Sequence, residues 1–597
     1  MKKWKVVIIL ALAQFVMVLD STVMNVSIST VVKDLDTTVN AMQGAITFYT
    51  LTMAALMLIG AKLCQKWGLK KAFSIGAIVY GIGSLMTGLA VNFGMLFLGW
   101  SIIEGLGAVL VIPAIVSLVA ANYSGKDRVT AYAIIGGISG AAAAAGPLIG
   151  GFMTTYLSWR YVFIAETIIM AIVLLLARGF KDGVKGTGKR IDFMSGFLSA
   201  LGLTMVVFGM LQSKVWGWVT PITKPEIAGH EIAPFGISIC AYLILGGLIV
   251  LWLFYNRQVR LEKAKGNPLI RASMLDIKQL RSGLGVLTSQ YAITAAAFFV
   301  VPVYLQMVLG LDALETGIKI FPLSVALILF SVIGPKLSNN RTPRQIVRLG
   351  QVLLIIGSLA LLGSIDPSLS KIIFAIAMFT LGAGLGLLAS QLSNVNMSAV
   401  DTSESSEVGG LQGTFQNLGS SFGTALIGSV LVAALTTGFL TSVSTSSLPE
   451  STKSTIQQNV TSLEIVPTAE VAGIAESNGA TPQEAQEISD IYAQAQLDGL
   501  RKALFFLVII SVLSLVLSRN LPATLMNPKT ASKLEPPYFW VVLKSFLGKL
   551  LAYANNDTPK FLKSLCLIYN ITFLCYLRNY IIITLLVSPQ GPFGRQT

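Results

Sequence analysis

The sequence predicts an all-α polytopic membrane protein, and its composition, its long apolar stretches and an internal repeat all lead to that prediction. Of the 597 residues, 54% are hydrophobic and only 12% are charged, whereas soluble domains carry about 25% charged residues. The mean hydropathy is +0.73. The net charge of +15 is carried by basic residues between apolar stretches. It therefore indicates contact with a membrane surface and argues against nucleic acid as a partner.

Fourteen stretches are long enough to cross a bilayer, which takes about 20 mostly apolar residues. The predicted spans lie near residues 6–30, 43–63, 72–92, 95–120, 130–153, 160–178, 192–211, 235–255, 284–309, 317–335, 346–364, 371–395, 408–436 and 501–518. The first apolar run continues into further structured sequence without a small-residue cleavage site. We therefore expect no cleavable signal peptide.

Basic residues stand at the N-terminus and in the connections that follow even-numbered spans. They include Lys2, Lys3, Lys5, Lys66, Lys70, Lys71, Lys126, Arg128, Arg178, Lys181, Lys185, Lys189, Arg190, Arg257, Arg260, Lys263, Arg271, Lys336, Arg341 and Arg344. The positive-inside rule then places the N-terminus on the cytoplasmic side. We expect the protein to lie in the cell membrane. One connection on that side is an exception, because Asp401, Glu404 and Glu407 have no basic neighbours in sequence. Contact with a basic loop nearby is the one explanation that the pattern offers.

Two regions differ in composition from the spans. Residues 438–499 are acidic and rich in Ser, Thr, Gln and Ala. They predict a long extracytoplasmic loop, partly helical around 482–499, that caps the bundle. Residues 521–597 form a C-terminal tail of unknown role, in which 540–553 could lie in the membrane interface and 564–587 is a weak fifteenth span.

A short repeat relates the first six predicted spans to the last six. Residues 60–63 end the second predicted span with Gly-Ala-Lys-Leu, and residues 334–337 end the tenth with Gly-Pro-Lys-Leu; basic residues follow both. A duplicated six-helix unit is how many secondary transporters are built. We therefore predict a six-helix bundle at 1–180, two linker spans and a cytoplasmic loop at 181–282, and a second bundle at 283–520.

The stretch from Gly136 to Gly151 combines glycine and alanine with one proline inside a predicted span. In a bilayer, small residues allow helix backbones to approach closely. Proline removes a backbone donor and bends a helix. Two interpretations of this stretch therefore stay open, a close packing face between helices and a bending point. The residues concerned are Gly136, Gly140, Gly146, Pro147, Gly150 and Gly151.

Four motifs resemble the major facilitator superfamily, and specifically its fourteen-span drug:proton antiporter branch. Residues 19–26 (LDSTVMNV) match the signature of the first span, and residues 146–151 (GPLIGG) match the antiporter signature of the fifth. Residues 159–163 (WRYVF) match the start of the sixth span. The loop between the second and third spans resembles the superfamily's loop motif at Gly60, Lys66, Gly68, Lys70 and Lys71. The resemblance covers about residues 1–520 and implies the major facilitator fold with two bundles and two linker spans.

The sequence departs from that family pattern at five functional positions. Gln65 stands where the loop motif has an aspartate that helps to latch the two halves, and Leu69 stands where it has an arginine. The fourth span has Ser101 and Glu104 where the family has arginine and glutamine, and Glu166 replaces a usual asparagine of the sixth span. The coupling scheme that the resemblance implies therefore cannot be transferred unchanged.

Three carboxylates fall inside predicted spans of the first half: Asp20, Glu104 and Glu166. An ionisable residue inside a membrane is costly and is a functional hypothesis by default. Burial favours the neutral form of a carboxyl group. Such a group can exchange protons or pair with a cationic substrate, and Asp20 is the first candidate.

Structural roles for these acids stay open at this stage. Asp20 could hydrogen-bond to Asn25 or Thr22. Glu104 could bond to the backbone or to Ser101, since positions three apart share a helix face. Arg160, at the outer end of the sixth span, is expected to anchor that end.

Polar and aromatic residues of the first and second halves are candidates for a substrate cavity. Aromatic faces with a few polar groups suit amphipathic or cationic ligands. The candidates are Asn25, Gln290, Phe298, Tyr304, Gln412 and Gln416. Hydrogen bonding between helices is the alternative role for the polar ones.

Enzymatic and metal-binding motifs are not apparent. The sequence has no Gly-x-x-x-x-Gly-Lys-Ser/Thr loop for ATP, and its single histidine, His230, lies in a predicted external loop. The four cysteines have no metal-ligand spacing. We expect no cofactor, no metal and no enzymatic activity, with an ion gradient as the energy source.

The resemblance and the buried acids together predict an exporter that exchanges protons for a small amphipathic or cationic compound by alternating access. The alternatives are an exporter of one endogenous metabolite, lipid or siderophore, an uptake symporter of the same fold, and a transport-inactive scaffold or sensor. A periplasmic or accessory partner is left open.

Overall fold

Fourteen long helices, each apolar enough to cross a membrane, follow one another along the described part of the chain. The structure is a computed structural model that describes residues 4–37, 39–179, 191–227, 230–366, 371–401, 404–459, 463 and 465–521. The prediction of fourteen spans is therefore confirmed. The expectations for 540–553 and 564–587, and the basic residues of 181–190, lie outside the described residues.

Sixteen helices are numbered here, fourteen of which are the spans. They are α1 Lys5–Asp34, α2 Val39–Trp67, α3 Leu69–Gly88, α4 Phe93–Asn122, α5 Gly125–Tyr156, α6 Arg160–Ala177, α7 Phe193–Trp216, α8 Ile239–Lys263, α9 Lys278–Val308, α10 Ala313–Leu337, α11 Pro343–Gly363, α12 Lys371–Met397, α13 Ser405–Thr445, the short α14 Glu450–Asn459 and α15 Thr468–Ser477, and α16 Pro482–Leu517. Two-residue strands, β1 Glu226–Ile227 and β2 His230–Glu231, pair antiparallel between α7 and α8.

The predicted acidic loop is largely helical. Helix α13 continues to Thr445, past the predicted span end at 436, and α16 begins at Pro482 and enters its span without a break. A capping box starts α16, because Thr481 accepts from the Glu484 backbone while Glu484 accepts in return, with proline in the first turn. The end of α13 and the start of α16 bury a small apolar cluster around Phe439, Val471 and Tyr492.

Two spans contain a widened, π-helical segment. In α4 it covers Phe97–Glu104, and in α9 it covers Val303–Val308, directly after Pro302. Such segments are rare and are found mostly at functional sites. The segment in α4 carries two of the residues that form the candidate site.

The spans pack as two groups joined by a pair. In the first group α1 packs on α5 and α6, and α3 packs on α4 and α6; in the second, α12 packs on α10 and α11, and α13 on α9 and α16. Helices α7 and α8 pack on each other, and α7 also contacts α2 and α13. The two groups meet where α5 packs on α10 and α12, and where α2 and α4 pack on α13. The residue limits of the domains stay a prediction.

Candidate functional site

The three membrane carboxylates of the first half come together at one point. Asp20 on α1, Glu104 on α4 and Glu166 on α6 are 0%, 0% and 1% exposed. One carboxylate oxygen from each lies within 4.8 Å of the others. Helices that are distant in sequence therefore build a single acidic cluster, which we call the carboxylate triad.

Glycines of α3 and α4 bring these two helices into contact beside Glu104. A Cβ on Gly83 would lie 2.6 Å from the backbone nitrogen of Glu104, and one on Gly107 would lie 2.5 Å from that of Tyr80. The α3 and α4 backbones therefore touch at these points, which a larger residue would prevent. This contact fixes Glu104 against α3, beside Tyr80 and Ser84.

Trp100 holds the carboxylate of Asp20. Its Nε1 donates to Oδ1 at 2.8 Å and to Oδ2 at 3.0 Å, and its ring stacks on Tyr49 with 5.0 Å between centroids. The alternative of a bond between Asp20 and Thr22 is wrong, because the Thr22 hydroxyl donates to the Leu19 carbonyl at 2.8 Å. The side chain of Asn25 lies outside the described residues.

The two glutamates are poorly satisfied. Ser84 donates to one oxygen of Glu166 at 3.4 Å, while the other oxygen of Glu166 and both oxygens of Glu104 have no hydrogen-bond partner among the described residues. The proposed bond from Ser101 to Glu104 is wrong, since Ser101 donates to the Ala45 carbonyl at 2.8 Å.

The triad has no positive partner within the described ranges, where the ion pairs of lysine and arginine involve other acids. Three negative charges cannot coexist at this spacing in a low-dielectric interior. At least two of the carboxyl groups must therefore be neutralised, by protons or by a bound cation. This arrangement can take up and release positive charge inside the membrane span.

The glycine-rich stretch faces two different neighbours. A Cβ on Gly140 would lie 2.2 Å from the Leu327 side chain of α10, and one on Gly136 would lie 2.7 Å from Ala389 of α12. A Cβ on Gly146 would lie 1.8 Å from the Thr22 hydroxyl of α1, and one on Gly150 would lie 3.1 Å from Val23. One pair of glycines thus packs on the second helix group, and the other pair packs on α1.

Helix α5 runs without interruption through this stretch, from Gly125 to Tyr156. The backbone at Pro147 is helical, Gly151 is buried, and the side chain of Pro147 lies outside the described residues. The contacts of the glycines therefore supply a packing role for the stretch, while bending stays a prediction.

The loop motif joins α2 to α3 and contributes to a polar contact between the two helix groups. A Cβ on Gly60 would lie 2.2 Å from the Val109 carbonyl of α4, and Gly68 has a φ of +94°, which favours glycine. Lys70 donates to the Arg178 carbonyl at 2.6 Å, whereas Lys66 is half-buried and Lys71 is exposed.

Residues that the sequence did not single out pair across this end of the molecule. Lys62 Nζ lies 3.3 Å from Glu407 Oε1, and Gln65 donates to the same oxygen at 3.0 Å. Arg271 donates its backbone N–H to the other oxygen at 3.1 Å, and its side chain pairs with Glu404. We call this cluster the Glu407 latch. The signal for it was the acidic stretch without basic neighbours, and the expected contact with basic loops is found.

A second polar contact lies at the start of α5. Arg128 donates to Asn394 of α12 at 3.1 Å and to Ser398, directly after that helix, at 2.7 Å, and Lys126 donates to Asn339 at 2.8 Å. Together with the Glu407 latch, these bonds hold the two helix groups together at the end where the predicted cytoplasmic loops lie.

At the opposite end of the first group, Asp34 at the end of α1 binds two residues at the start of α6. Trp159 donates to its carboxylate at 2.9 Å, Arg160 pairs with it, and Arg160 also donates to the Ala90 carbonyl at 3.0 Å. The Trp159 hydrogen bond, followed by Arg160, lowers the pKa of Asp34 below its usual range. Arg160 therefore anchors the start of α6, as expected from its position.

The cavity candidates of the second half lie on helices other than those of the triad. Gln290, Phe298 and Tyr304 lie on α9, and Gln412 and Gln416 lie on α13. Tyr304 is fully buried and donates to the Asp366 carbonyl, just after α11, at 2.7 Å, so it has no open face. Gln290 and Gln412 are also buried, and Gln412 accepts from Ser393 at 3.2 Å. Phe298 and Gln416 are half-buried.

Known proteins resemble this chain over most of its described length. The family model for the Major Facilitator Superfamily matches residues 10–424. The puromycin resistance protein pur8 of Streptomyces alboniger is 27% identical over 439 residues, covering 72% of this chain and 82% of that protein. The probable actinorhodin transporter of Streptomyces coelicolor is 27% identical over 448 residues, covering 73% of each. The crystal structure of the human organic anion transporter MFSD10 has a TM-score of 0.52 at 10% identity, covering 87% of this chain and 99% of that one, a likeness of fold alone.

Proposed function

We propose that this chain, which belongs to the Major Facilitator Superfamily, exports small amphipathic or cationic compounds in exchange for protons. Membership makes it a multi-pass membrane transporter of small molecules and not an enzyme. The observation that carries the proposal is the carboxylate triad, because buried acids without a positive partner must bind protons or cations. The puromycin resistance of one relative supports export as the direction.

The triad offers two states of different charge. Trp100 donates to both oxygens of Asp20 and so stabilises its ionised form, which makes Asp20 the acid that meets a cationic substrate. Glu104 and Glu166 lack comparable donors and carry protons in the closed state. Because the three oxygens lie within 4.8 Å of one another, a cation at Asp20 disfavours protons on the two glutamates, and protons there disfavour the cation, which is the coupling that exchange requires.

Alternating access requires that the two helix groups rock about the site. The contacts of α5 with α10 and α12 form one long interface for this motion, and the Glu407 latch and the Arg128 bonds close one end of it. Asp20 is the sixteenth residue of the 30-residue α1. Its place halfway along the span supports a site near the membrane midplane. By the positive-inside rule, the latched end and the N-terminus face the cytoplasm in the cell membrane.

A second candidate is export of one endogenous metabolite, which the name of the probable actinorhodin transporter supports. A lipid or a siderophore would belong to the same class. No contact among the described residues favours an uptake symporter or a transport-inactive scaffold.

Reconstituted vesicles with an imposed proton gradient test the proposal. We expect wild-type protein to move a fluorescent lipophilic cation when the gradient is present, and Asp20→Asn to abolish that movement. Glu476→Gln is the matched control, since Glu476 is an exposed acid on α15 and should be inert. Full gradient-driven exchange by Asp20→Asn would remove Asp20 from its assigned role. Movement of a single metabolite, with no cation moved, would favour the second candidate.

A further inference from the structure

A groove opens on the surface of α8 at its basic end. It has a volume of about 350 Å³ and is lined by Trp252, Leu253, Asn256, Arg257, Arg260 and Leu261. Helix α8 buries only 17% of its span, the smallest share among the fourteen candidate spans. The groove therefore faces the lipid and lies outside the interface between the helix groups.

One of the two arginines in the groove, Arg257, already has an ion-pair partner. Arg257 donates from Nε and Nη2 to Asp192 at 2.7 and 2.8 Å, and Asp192 also accepts from the backbone of Ser195 at the start of α7. The bonds from Arg257 keep the pKa of Asp192 well below its usual range, so that carboxylate stays charged and neutralises the guanidinium.

Arg260 and Asn256 are uncommitted. Arg260 is exposed, and neither side chain has a hydrogen-bond or ion-pair partner within the part of the chain that the structure describes. Glu262, the nearest acid along the helix, is occupied by Ser273. Among the described residues, the groove thus offers one free positive charge and one free amide.

Trp252 and Arg260 lie at different heights along the groove, with Leu261 beside Arg260 in the lining. At a rise of 1.5 Å per residue, Arg260 lies about 12 Å further along the axis than Trp252. Tryptophan favours the boundary between acyl chains and headgroups, and arginine extends to the headgroup level. Both ends of the groove therefore match the corresponding parts of a phospholipid.

We propose that this groove binds an anionic phospholipid. Arg260 and Asn256 hold the phosphate, and Trp252 and Leu253 hold the adjoining acyl chain. Charge complementarity favours an anionic lipid, because the leaflet on the side that the positive-inside rule assigns to α8's basic end carries the anionic lipids. A free phosphate ion would meet the same polar groups, but it would leave Trp252 and Leu253 unused. This proposal does not depend on which compound the protein transports.

Quenching of Trp252 by brominated lipids tests the proposal on the full chain in nanodiscs. The Trp252 contribution is the fluorescence difference between wild type and Trp252→Phe. We expect brominated phosphatidylglycerol to occupy the groove about fivefold more than brominated phosphatidylcholine, the preference that one arginine supplies near a membrane surface. Arg260→Ala should remove the preference. Lys263→Ala should keep it, because Lys263 is an exposed cation of the same helix that lies outside the groove lining.

Three results would overturn the proposal. Equal quenching by the two lipids would show no lipid selectivity, and an unchanged preference in Arg260→Ala would place the selectivity elsewhere. Loss of the preference on addition of inorganic phosphate at millimolar concentration would identify a phosphate site in place of a lipid site.

Discussion

Lys62 on α2 and Glu407 on α13 form a buried ion pair with 3.3 Å between Nζ and Oε1, across 345 residues of sequence. Both side chains are less than a tenth exposed. The pair joins the two helix groups with the acid on the second group, whereas the resemblance implied an aspartate at position 65 of the first. Gln65 instead donates to Glu407, so the substitution of an amide at 65 is matched by an acid at 407.

Removing one partner of the Glu407 latch should destabilise the closed arrangement. Breaking a buried ion pair on one side costs about 3–5 kcal/mol, whereas replacing both partners by apolar residues is often neutral. We therefore expect Glu407→Gln and Lys62→Met each to lower the thermal unfolding temperature, and the double variant Lys62→Met/Glu407→Gln, which removes both charges and keeps an acceptor for Gln65 and Arg271, to lose less than the sum of the two. Differential scanning fluorimetry measures all three.

The latch also predicts a change in conformation. Lys126 and Asn339 lie 2.8 Å apart at the same end of the molecule, so cysteines at 126 and 339 should be joined by a short cross-linker. Glu407→Gln should reduce that cross-linking. Lys71→Met is the control, because Lys71 is exposed in the first turn of α3. Undiminished cross-linking in Glu407→Gln would contradict a closing role for the latch.

The bond between Trp100 and Asp20 should contribute both to stability and to transport. A hydrogen bond to a charged group contributes about 1.5–3 kcal/mol. Trp100→Phe keeps an aromatic ring on Tyr49 but removes both contacts to Asp20. We expect Trp100→Phe to reduce gradient-driven exchange by about tenfold or more.

A double-mutant cycle of Trp100→Phe with Asp20→Asn separates this bond from packing. Chemical unfolding should give a coupling free energy in the same range, since the bond is assisted by the charge of Asp20. Trp252→Phe, on the lipid-facing groove, supplies a control for loss of an indole. Additive effects of the two changes would mean that the indole acts through packing alone.

The contact between Gly140 and Leu327 should be a steric requirement of the interface. A Cβ at 140 would meet three side-chain atoms of Leu327 at 2.2, 2.3 and 2.7 Å. Gly140→Ala should therefore lower transport without preventing insertion, and Leu327→Ala should restore it by clearing the space. Gly285→Ala is the control, because nothing lies within 4 Å of a Cβ there. Transport by Gly140→Ala at the wild-type rate, without the second change, would contradict the requirement.

The glycines that face α1 offer a second steric test. A Cβ on Gly146 would lie 1.8 Å from the hydroxyl of Thr22 and 2.5 Å from the Cβ of Thr22. Thr22 follows Asp20 by two residues on α1. We expect Gly146→Leu to displace α1 and to impair transport while the protein still inserts. Normal efflux by that variant would reduce the stretch to a tolerant contact.

Much of this architecture can be predicted from the sequence, because membrane helices are recognisable by their length and apolar composition. The fourteen spans, the anchoring by Arg160 and the presence of Asp20, Glu104 and Glu166 inside spans were all predictable. Their meeting at one point was not, because it depends on how α1, α4 and α6 pack. That packing rests on contacts such as Gly83 against Glu104, which pair positions on different helices.

The residues that pair with Glu407 in the latch could not be predicted for a related reason. Sequence neighbours determine whether an acid looks unpaired, and Glu407 has no basic residue near it along the chain. Its partners come from α2 and from the connection between α8 and α9. Tyr304 shows the opposite case, since an aromatic residue with a hydroxyl suggests a ligand site, but its partner is the backbone of Asp366.

The Asp34 cluster at the far end of α1 predicts a specific pH dependence of stability. Trp159 and Arg160 lower the pKa of Asp34 below its ordinary value of 3.8. Asp34 therefore stabilises the folded state above that ordinary value, and this contribution is lost as the pH falls through the lower, folded-state pKa. We expect Asp34→Asn to lower the unfolding temperature relative to wild type near pH 7. The difference should shrink as the pH is brought below about 4. Asp36→Asn, an exposed acid two residues further on, should change the unfolding temperature little at either pH. A difference between wild type and Asp34→Asn that is constant from neutral to acid pH would mean that Asp34 acts through shape rather than charge.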